Sequence, residues 1–212
     1  LEATGLVWVG LRQQRLLAHC AGYLLYGGAL FMVFRDGMPE AGSIPVLAGD
    51  TLGLLLLAFA ALGIAWLLFR HRELLAPLER SGDGSFCLAG WLCWLLAGTL
   101  ELEAHVGTGG LLGAVIVFVA LSCLGSLRLA DRCAWPTPVN AGFWLLPLAI
   151  LWTLGTALEG WYPSHQRHPL EGVGVFGWAL FAVIQYRFLR RCGESSTRWL
   201  VQTHHVLTAW LL

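Results

Sequence analysis

Lysine is absent from the 212 residues, and all thirteen basic side chains are arginine. Charge of either sign is scarce: 12% of residues carry it, against about 25% in an ordinary soluble domain. Thirteen acidic residues balance the arginines to a net charge of zero. So few charges leave too little polar surface to cover a globule in water. Without a basic block there is also nothing to engage nucleic acid. GxSxG, Walker A and HExxH patterns are missing as well, which removes the common soluble hydrolase and nucleotidase signatures. Membrane transferases often lack compact motifs, so an enzyme is neither implied nor excluded. The six cysteines form no CxxC pair, so zinc-ribbon and disulfide-framework readings fail. Cys20, Cys93 and Cys123 sit inside apolar runs, where cysteine is expected as a small core residue.

What fills the chain is apolar: 57% hydrophobic residues and a mean hydropathy of +0.68. Lipid is the solvent that suits such a composition. A spanning helix needs roughly 17–25 mostly apolar residues. Six runs qualify or nearly so: Leu16 to Phe34, Val46 to Phe69, Phe86 to Leu102, Gly109 to Leu127, Val139 to Leu158 and Leu170 to Leu189. Gly5 to Gly10 reads as the tail of a further helix, and Trp199 to Leu212 as the start of another. The expected fold is all-α: a polytopic transmembrane helix bundle, six complete spans with a partial helix at each end, in one helical region over 1–212. The opening Leu1-Glu2-Ala3 and the apolar close Ala209-Trp210-Leu211-Leu212 lead to the expectation of an internal piece of a longer multi-pass protein.

The arginines test this parse. Arg12 and Arg15 precede the first run, Arg70, Arg72 and Arg80 separate the second and third, and Arg128 and Arg132 separate the fourth and fifth. Arg187, Arg190, Arg191 and Arg198 follow the sixth, and only Arg35 and Arg167 fall on the intervening segments. Basic residues on alternate connections are what the positive-inside rule requires, and the Arg-rich loops are expected to be cytoplasmic. Pro45 is expected at a helix start, where its missing N–H costs little. Pro147 is expected to kink the fifth span. Trp135, Trp161 and Tyr162 suit the membrane interfaces. The 26 glycines suit close helix approach, and Gly109-xxx-Gly113 has small-xxx-small spacing at a helix edge.

Several segments carry a resemblance when taken in order. They are LVWVGLRQQRLL at Leu6 to Leu17, IPVLAGDTLGLLLLAFAALGIAWLLFR at Ile44 to Arg70, and WLCWLLAGTLELEAH at Trp91 to His105. HPLEGVGVFGWALFAVIQYRFLRR at His168 to Arg191 and the closing HHVLTAWLL complete the set. Their order and spacing resemble the large predicted bacterial membrane proteins of the family called "domain of unknown function 2339". The resemblance implies a long protein with many membrane helices in the bacterial inner membrane. It implies no activity and no catalytic residues.

One motif imitates a cofactor site. Gly172-Val173-Gly174-Val175-Phe176-Gly177 fits GxGxxG, and Glu194 follows at fingerprint spacing. The fingerprint needs a preceding strand inside a βαβ unit, and this one lies in an apolar span. Close helix packing through glycine is the better account, and no cofactor is expected.

The constellation that bears chemistry lies on the expected outer face. The third span ends Glu101-Leu102-Glu103-Ala104-His105, and Glu101 and His105 share a helix face if the helix runs that far. Glu159 ends the fifth span, His165 and His168 lie in the next loop, and Glu171 begins the sixth span. Carboxylates and imidazoles at one depth can bind a divalent metal or share protons. The plain alternative is that they are solvated loop residues. Asp50 either joins them or caps its helix. On the inner side, His19, His204 and His205 suit cross-helix hydrogen bonds or a proton relay whose partner the sequence does not name. The functional expectation is a multi-pass inner-membrane protein acting as envelope scaffold or subunit. Its partners are membrane lipid and the remainder of its own chain or other membrane subunits. The alternatives are a transporter, or a membrane enzyme using the outer carboxylates on a lipid or envelope substrate.

Overall fold

A computed structural model of the chain describes residues 1–139, apart from 36, 38, 48, 77, 78 and 107–109, together with 174–192. Among the described residues the regular structure is helical, with one isolated bridge between Ala41 and Gly49 and no strand. The helices are α1 (Glu2–Gln13), α2 (Leu16–Arg35), α3 (Thr51–Arg70), α4 (Gly82–His105), α5 (Leu111–Cys133) and α6 (Gly174–Cys192). Single 3-10 turns at Arg72–Leu74 and Glu79–Ser81 link α3 to α4. Among the described residues four stretches are long and apolar enough to cross a membrane: Leu16–Arg35, Thr51–Arg70, Glu79–His105 and Leu111–Cys133. The protein is membrane-embedded on that ground.

Several boundaries differ from those read off hydropathy. The second span begins at Thr51, not Val46, because a closed loop precedes it. The Glu40 N–H donates to Asp50 Oδ2 at 3.2 Å, and the Asp50 N–H donates back to Glu40 O at 3.0 Å. Gly49, at φ 72°, permits this closure, since a Cβ there would meet Gly42 N at 2.5 Å and Glu40 O at 2.6 Å. Pro45 therefore lies in the loop and not in a first helical turn, and the Asp50 side chain makes no capping hydrogen bond to α3. α4 starts at Gly82, ahead of Phe86, and runs through His105. α5 continues to Cys133, so Arg128 and Arg132 are helical and not in a loop. Hydropathy ends a span where charge begins, but arginine is a good helix former whose long stem stays apolar. The last described helix spans Gly174–Cys192. Beyond Val139, the fifth expected span with Pro147, Trp161 and Tyr162 lies outside the described residues, as do Gly109 and the segment from Trp199 to Leu212.

The chain divides into two compact units, Leu1–His105 and Val106–Leu212. In unit 1, contacts fix the helix directions. A Cβ on Gly22 would meet Val7 Cγ2 at 2.6 Å and Ala3 O at 2.9 Å, while one on Gly10 would collide with the His19 ring. Those pairings make α1 and α2 antiparallel. α3 and α4 are antiparallel too: Gly90 abuts Leu62 and Ala58, and Gly82 abuts Leu68. Tyr23 and Tyr26 of α2 both meet Phe86 of α4, at ring separations of 5.3 and 5.5 Å. With His19 beside Glu79, this runs α2 parallel to α4, so α1 runs parallel to α3. Thr4 sets their register, donating from Oγ1 to Ala60 O at 3.1 Å, with Gly63 against its methyl. In lipid such packing rests on close van der Waals contact and occasional interhelical hydrogen bonds, worth about 0.6 kcal/mol each.

The buried core of unit 1 joins Val7 and Leu11 of α1 to Ala58, Ala61, Ile64 and Leu68 of α3. α2 sits differently. Leu17, Leu24 and Phe31, seven residues apart, are 85%, 76% and 63% exposed, one stripe along the helix pointing away from its neighbours. Cys20 lies on this stripe and is exposed, correcting its expected place in the core; Cys93 and Cys123 are buried as expected. In unit 2, Gly177 of α6 packs against α5, where a Cβ would stand 3.1–3.3 Å from Val117, Ile116 and Gly113 O. The second half of the GxGxxG pattern thus lies in a helix and serves close packing. Trp135, expected at an interface, is only 2% exposed. The Trp135 N–H closes the end of α5 on Ala130 O at 3.0 Å, tucking the residue back onto the helix.

Candidate functional site

The run Leu100-Glu101-Leu102-Glu103-Ala104 consists of good helix formers, so α4 continues past the apolar boundary to His105. Glu101 and His105 consequently stand one above the other. His105 Nδ1 is 3.0 Å from Glu101 O and 3.4 Å from Glu101 Oε2. Both neighbours are acceptors, which assigns the proton of a neutral ring to Nδ1 and leaves Nε2 as the lone-pair nitrogen. The Glu101 side chain is 15% exposed, and its Oε1 is buried with no hydrogen-bond partner. A buried carboxylate oxygen without a donor is costly, and ionisable groups near the bilayer are often functional.

Glu103 does not join the pair. It lies two residues on from Glu101 and is exposed. Glu159, His165, His168 and Glu171, the other members of the expected outer cluster, lie outside the described residues. Among the described residues no group of three or more His, Cys, Asp or Glu is placed to hold a metal. Asp50 is occupied by its own loop through Glu40.

A second polar cluster lies at the opposite end of unit 1. His19, one turn into α2, is 5% exposed. Its Nδ1 is 3.4 Å from Glu79 Oε1, and Tyr23 Oη donates to the same oxygen at 3.4 Å. Glu79 Oε2 accepts from Ala76 N, also at 3.4 Å. These are long contacts. The His19–Glu79 pair lies within ion-pairing distance, but neither ring nitrogen has a hydrogen bond of good geometry. Gly10 leaves the space the ring occupies. The surrounding linker folds on itself: Arg72 donates twice to Arg80 O, at 3.2 and 3.3 Å, and approaches Asp83 at 3.7 Å. Arg80 Nε donates to Leu75 O at 3.3 Å.

Sequence reasoning singled out His19 but not its partner. Glu79 sits sixty positions away in a polar linker and reads there as a solvated charge. Only the alternation of connections, which puts both turns at one end of the bundle, pointed toward it.

No family model, curated protein or solved structure matches the chain. Three hydroxyls of α4 and α5 are used locally. Thr99 Oγ1 donates to Leu95 O and Leu96 O at 2.9 Å, Ser122 Oγ to Phe118 O at 2.8 Å and Ser126 Oγ to Cys123 O at 2.7 Å. Each returns its hydroxyl to its own helix, the usual arrangement in an apolar medium.

Proposed function

We propose that this chain is a structural part of a multi-pass protein of the bacterial inner membrane, a scaffold or subunit of the cell envelope. It would have six complete spans and its Arg-bearing connections in the cytoplasm. The bacterial placement rests on the resemblance to the "domain of unknown function 2339" proteins, and the orientation on the alternation of arginines. The observation that carries the structural role is how the polar groups are spent. The hydroxyls of Thr99, Ser122 and Ser126 return to their own helices, Thr4 ties α1 to α3, and Tyr23 ties α2 to Glu79 of the linker. Meanwhile α2 turns a full apolar stripe outward, as a helix facing lipid or a neighbouring subunit does.

The test is purification of the intact protein from its own membranes after mild crosslinking. A partner or self-assembly held at fixed stoichiometry supports the structural role. Solute flux in vesicles, or turnover of a lipid substrate, that disappears in Glu101→Ala would replace it. One observation favours that second reading: the buried Glu101 Oε1 lacks a donor, beside an imidazole with a lone pair available. On it, the outer face is a site for a proton or cation in a transporter, or for an enzyme acting on a lipid or envelope substrate.

A further inference from the structure

Two parallel helices of unit 1 end in the same four-residue spacing. α1 carries Trp8 and Arg12, and α3 carries Trp66 and Arg70. In each, the guanidinium lies over the indole of the preceding turn, at 5.5 Å from the ring centroid for Arg12 and 5.9 Å for Arg70. The Thr4 contacts align α1 with α3 at offsets of 56 and 59 residues, to Ala60 and Gly63. Trp8 to Trp66 and Arg12 to Arg70 are both offset by 58, so each pair stands at one level of the bundle. Arg15 follows in the turn after Arg12, at the same end.

Three acids lie at this end: Glu73 is exposed and pairs with none of these arginines, and the other two are engaged elsewhere. Glu79 faces His19, Tyr23 and Ala76 N, and Asp83 faces Arg72. Arg12, Arg15 and Arg70 are exposed and pair with no carboxylate among the described residues. Indoles at this depth suit the lipid–water interface. A guanidinium stacked on an indole is held in orientation while keeping its planar donor edge, which matches two phosphate oxygens.

We propose that this end of unit 1 is a binding site for the headgroup of an anionic phospholipid, with Arg12 and Arg70 as paired phosphate ligands and Arg15 adding charge. The headgroup must be anionic because a zwitterionic lipid brings its own cation to an already positive surface. The proposal needs the chain to lie in a membrane and is independent of its scaffold role.

The test is native mass spectrometry of the full chain released from micelles holding equal phosphatidylglycerol and phosphatidylcholine. The expected result is selective retention of phosphatidylglycerol. Each surface arginine lost should weaken it about fivefold, and Arg12→Gln with Arg70→Gln about 25-fold. Arg35→Gln, which removes the same charge from the opposite end of α2, should leave retention unchanged. Equal retention of the two lipids by the unaltered protein overturns the proposal, whatever the variants do. So does undiminished selectivity in the double variant. Displacement by millimolar inorganic phosphate would identify a soluble anion as the ligand and overturn the lipid assignment.

Discussion

Gly22 is where α1 and α2 come closest, and Gly22→Ala measures how much that approach matters. The added methyl would lie 2.6 Å from Val7 Cγ2 and 2.9 Å from Ala3 O. Carbon atoms rest at about 3.5–4.0 Å, so the helices must separate by roughly 1 Å at their crossing. The Val7 methyl has little room, since that residue is fully buried, and the Ala3 oxygen is backbone. Overpacking of this kind costs about 1–3 kcal/mol, or roughly 3–10 °C in melting temperature for a chain this long. Gly27, on the same helix with nothing within 4 Å, is the control. Alanine there should be neutral or stabilising by up to about 1 kcal/mol. The protein supplies its own reporters, because Cys87 and Cys93 of α4 are 0% and 5% exposed. With the other cysteines replaced by serine, a thiol-reactive fluorogenic dye follows the opening of unit 1 on heating. In a Val7→Ala background the penalty should shrink but persist, because the Ala3 oxygen has not moved. If Gly22→Ala melts no lower than Gly27→Ala, the close crossing of α1 and α2 is wrong.

Glu79→Ala removes the acceptor of Tyr23, the carboxylate facing His19 and the brace on Ala76 N; tryptic cleavage at Arg72 and Arg80 in detergent should accelerate several-fold, and an unchanged rate would refute the tie. Glu101→Gln supplies an amide that can donate where the carboxylate cannot, so the buried Oε1 position predicts unchanged or slightly raised stability, by about 1 kcal/mol at most. A drop of more than that in the same dye assay would mean that the carboxylate is needed as an anion. For orientation, an exposed Glu73→Cys in a cysteine-free protein should resist an impermeant maleimide in intact cells, while Ala104→Cys reacts; the reverse pattern would invert the proposed topology. In the native chain, Cys20 should react with a membrane-soluble thiol reagent well before Cys123, which is fully buried. Equal rates would contradict the outward stripe of α2.

Hydropathy made the helical class legible, because backbone in lipid has few other ways to satisfy its polar groups. It placed α2 almost to the residue, since Arg15 and Arg35 bracket an unbroken apolar run. It misplaced the start of α3, because Ile44 to Leu47 are as apolar as a span while the Glu40–Asp50 loop holds them out of it. It cut α5 short at Leu127, because a residue scale cannot see that Arg128 and Arg132 extend the helix. The Glu101–His105 pair was readable from its spacing, since both lie on one helix. The His19–Glu79 contact was not, because it depends on how a linker folds over a helix sixty positions distant. The Trp–Arg stacks were legible only as scattered residues until the Thr4 contacts set the relative height of their helices.

The reversal between α1 and α2 takes only Gln14 and Arg15, with Gln14 in the left-handed region at φ 52° and its N–H returned to Leu11 O. Such a turn has no slack, so it couples the rotation of one helix to that of the other like a keyed joint. Adding one residue there would turn α2 by about 100° about its axis. The small edge at Gly22 would swing off Ala3 and Val7, and bulkier side chains would be driven toward the seam. Length at this turn is therefore under tighter constraint than the identity of the leucines on the outer stripe. Those can exchange among apolar residues, while a one-residue insertion would change which face of α2 the membrane meets.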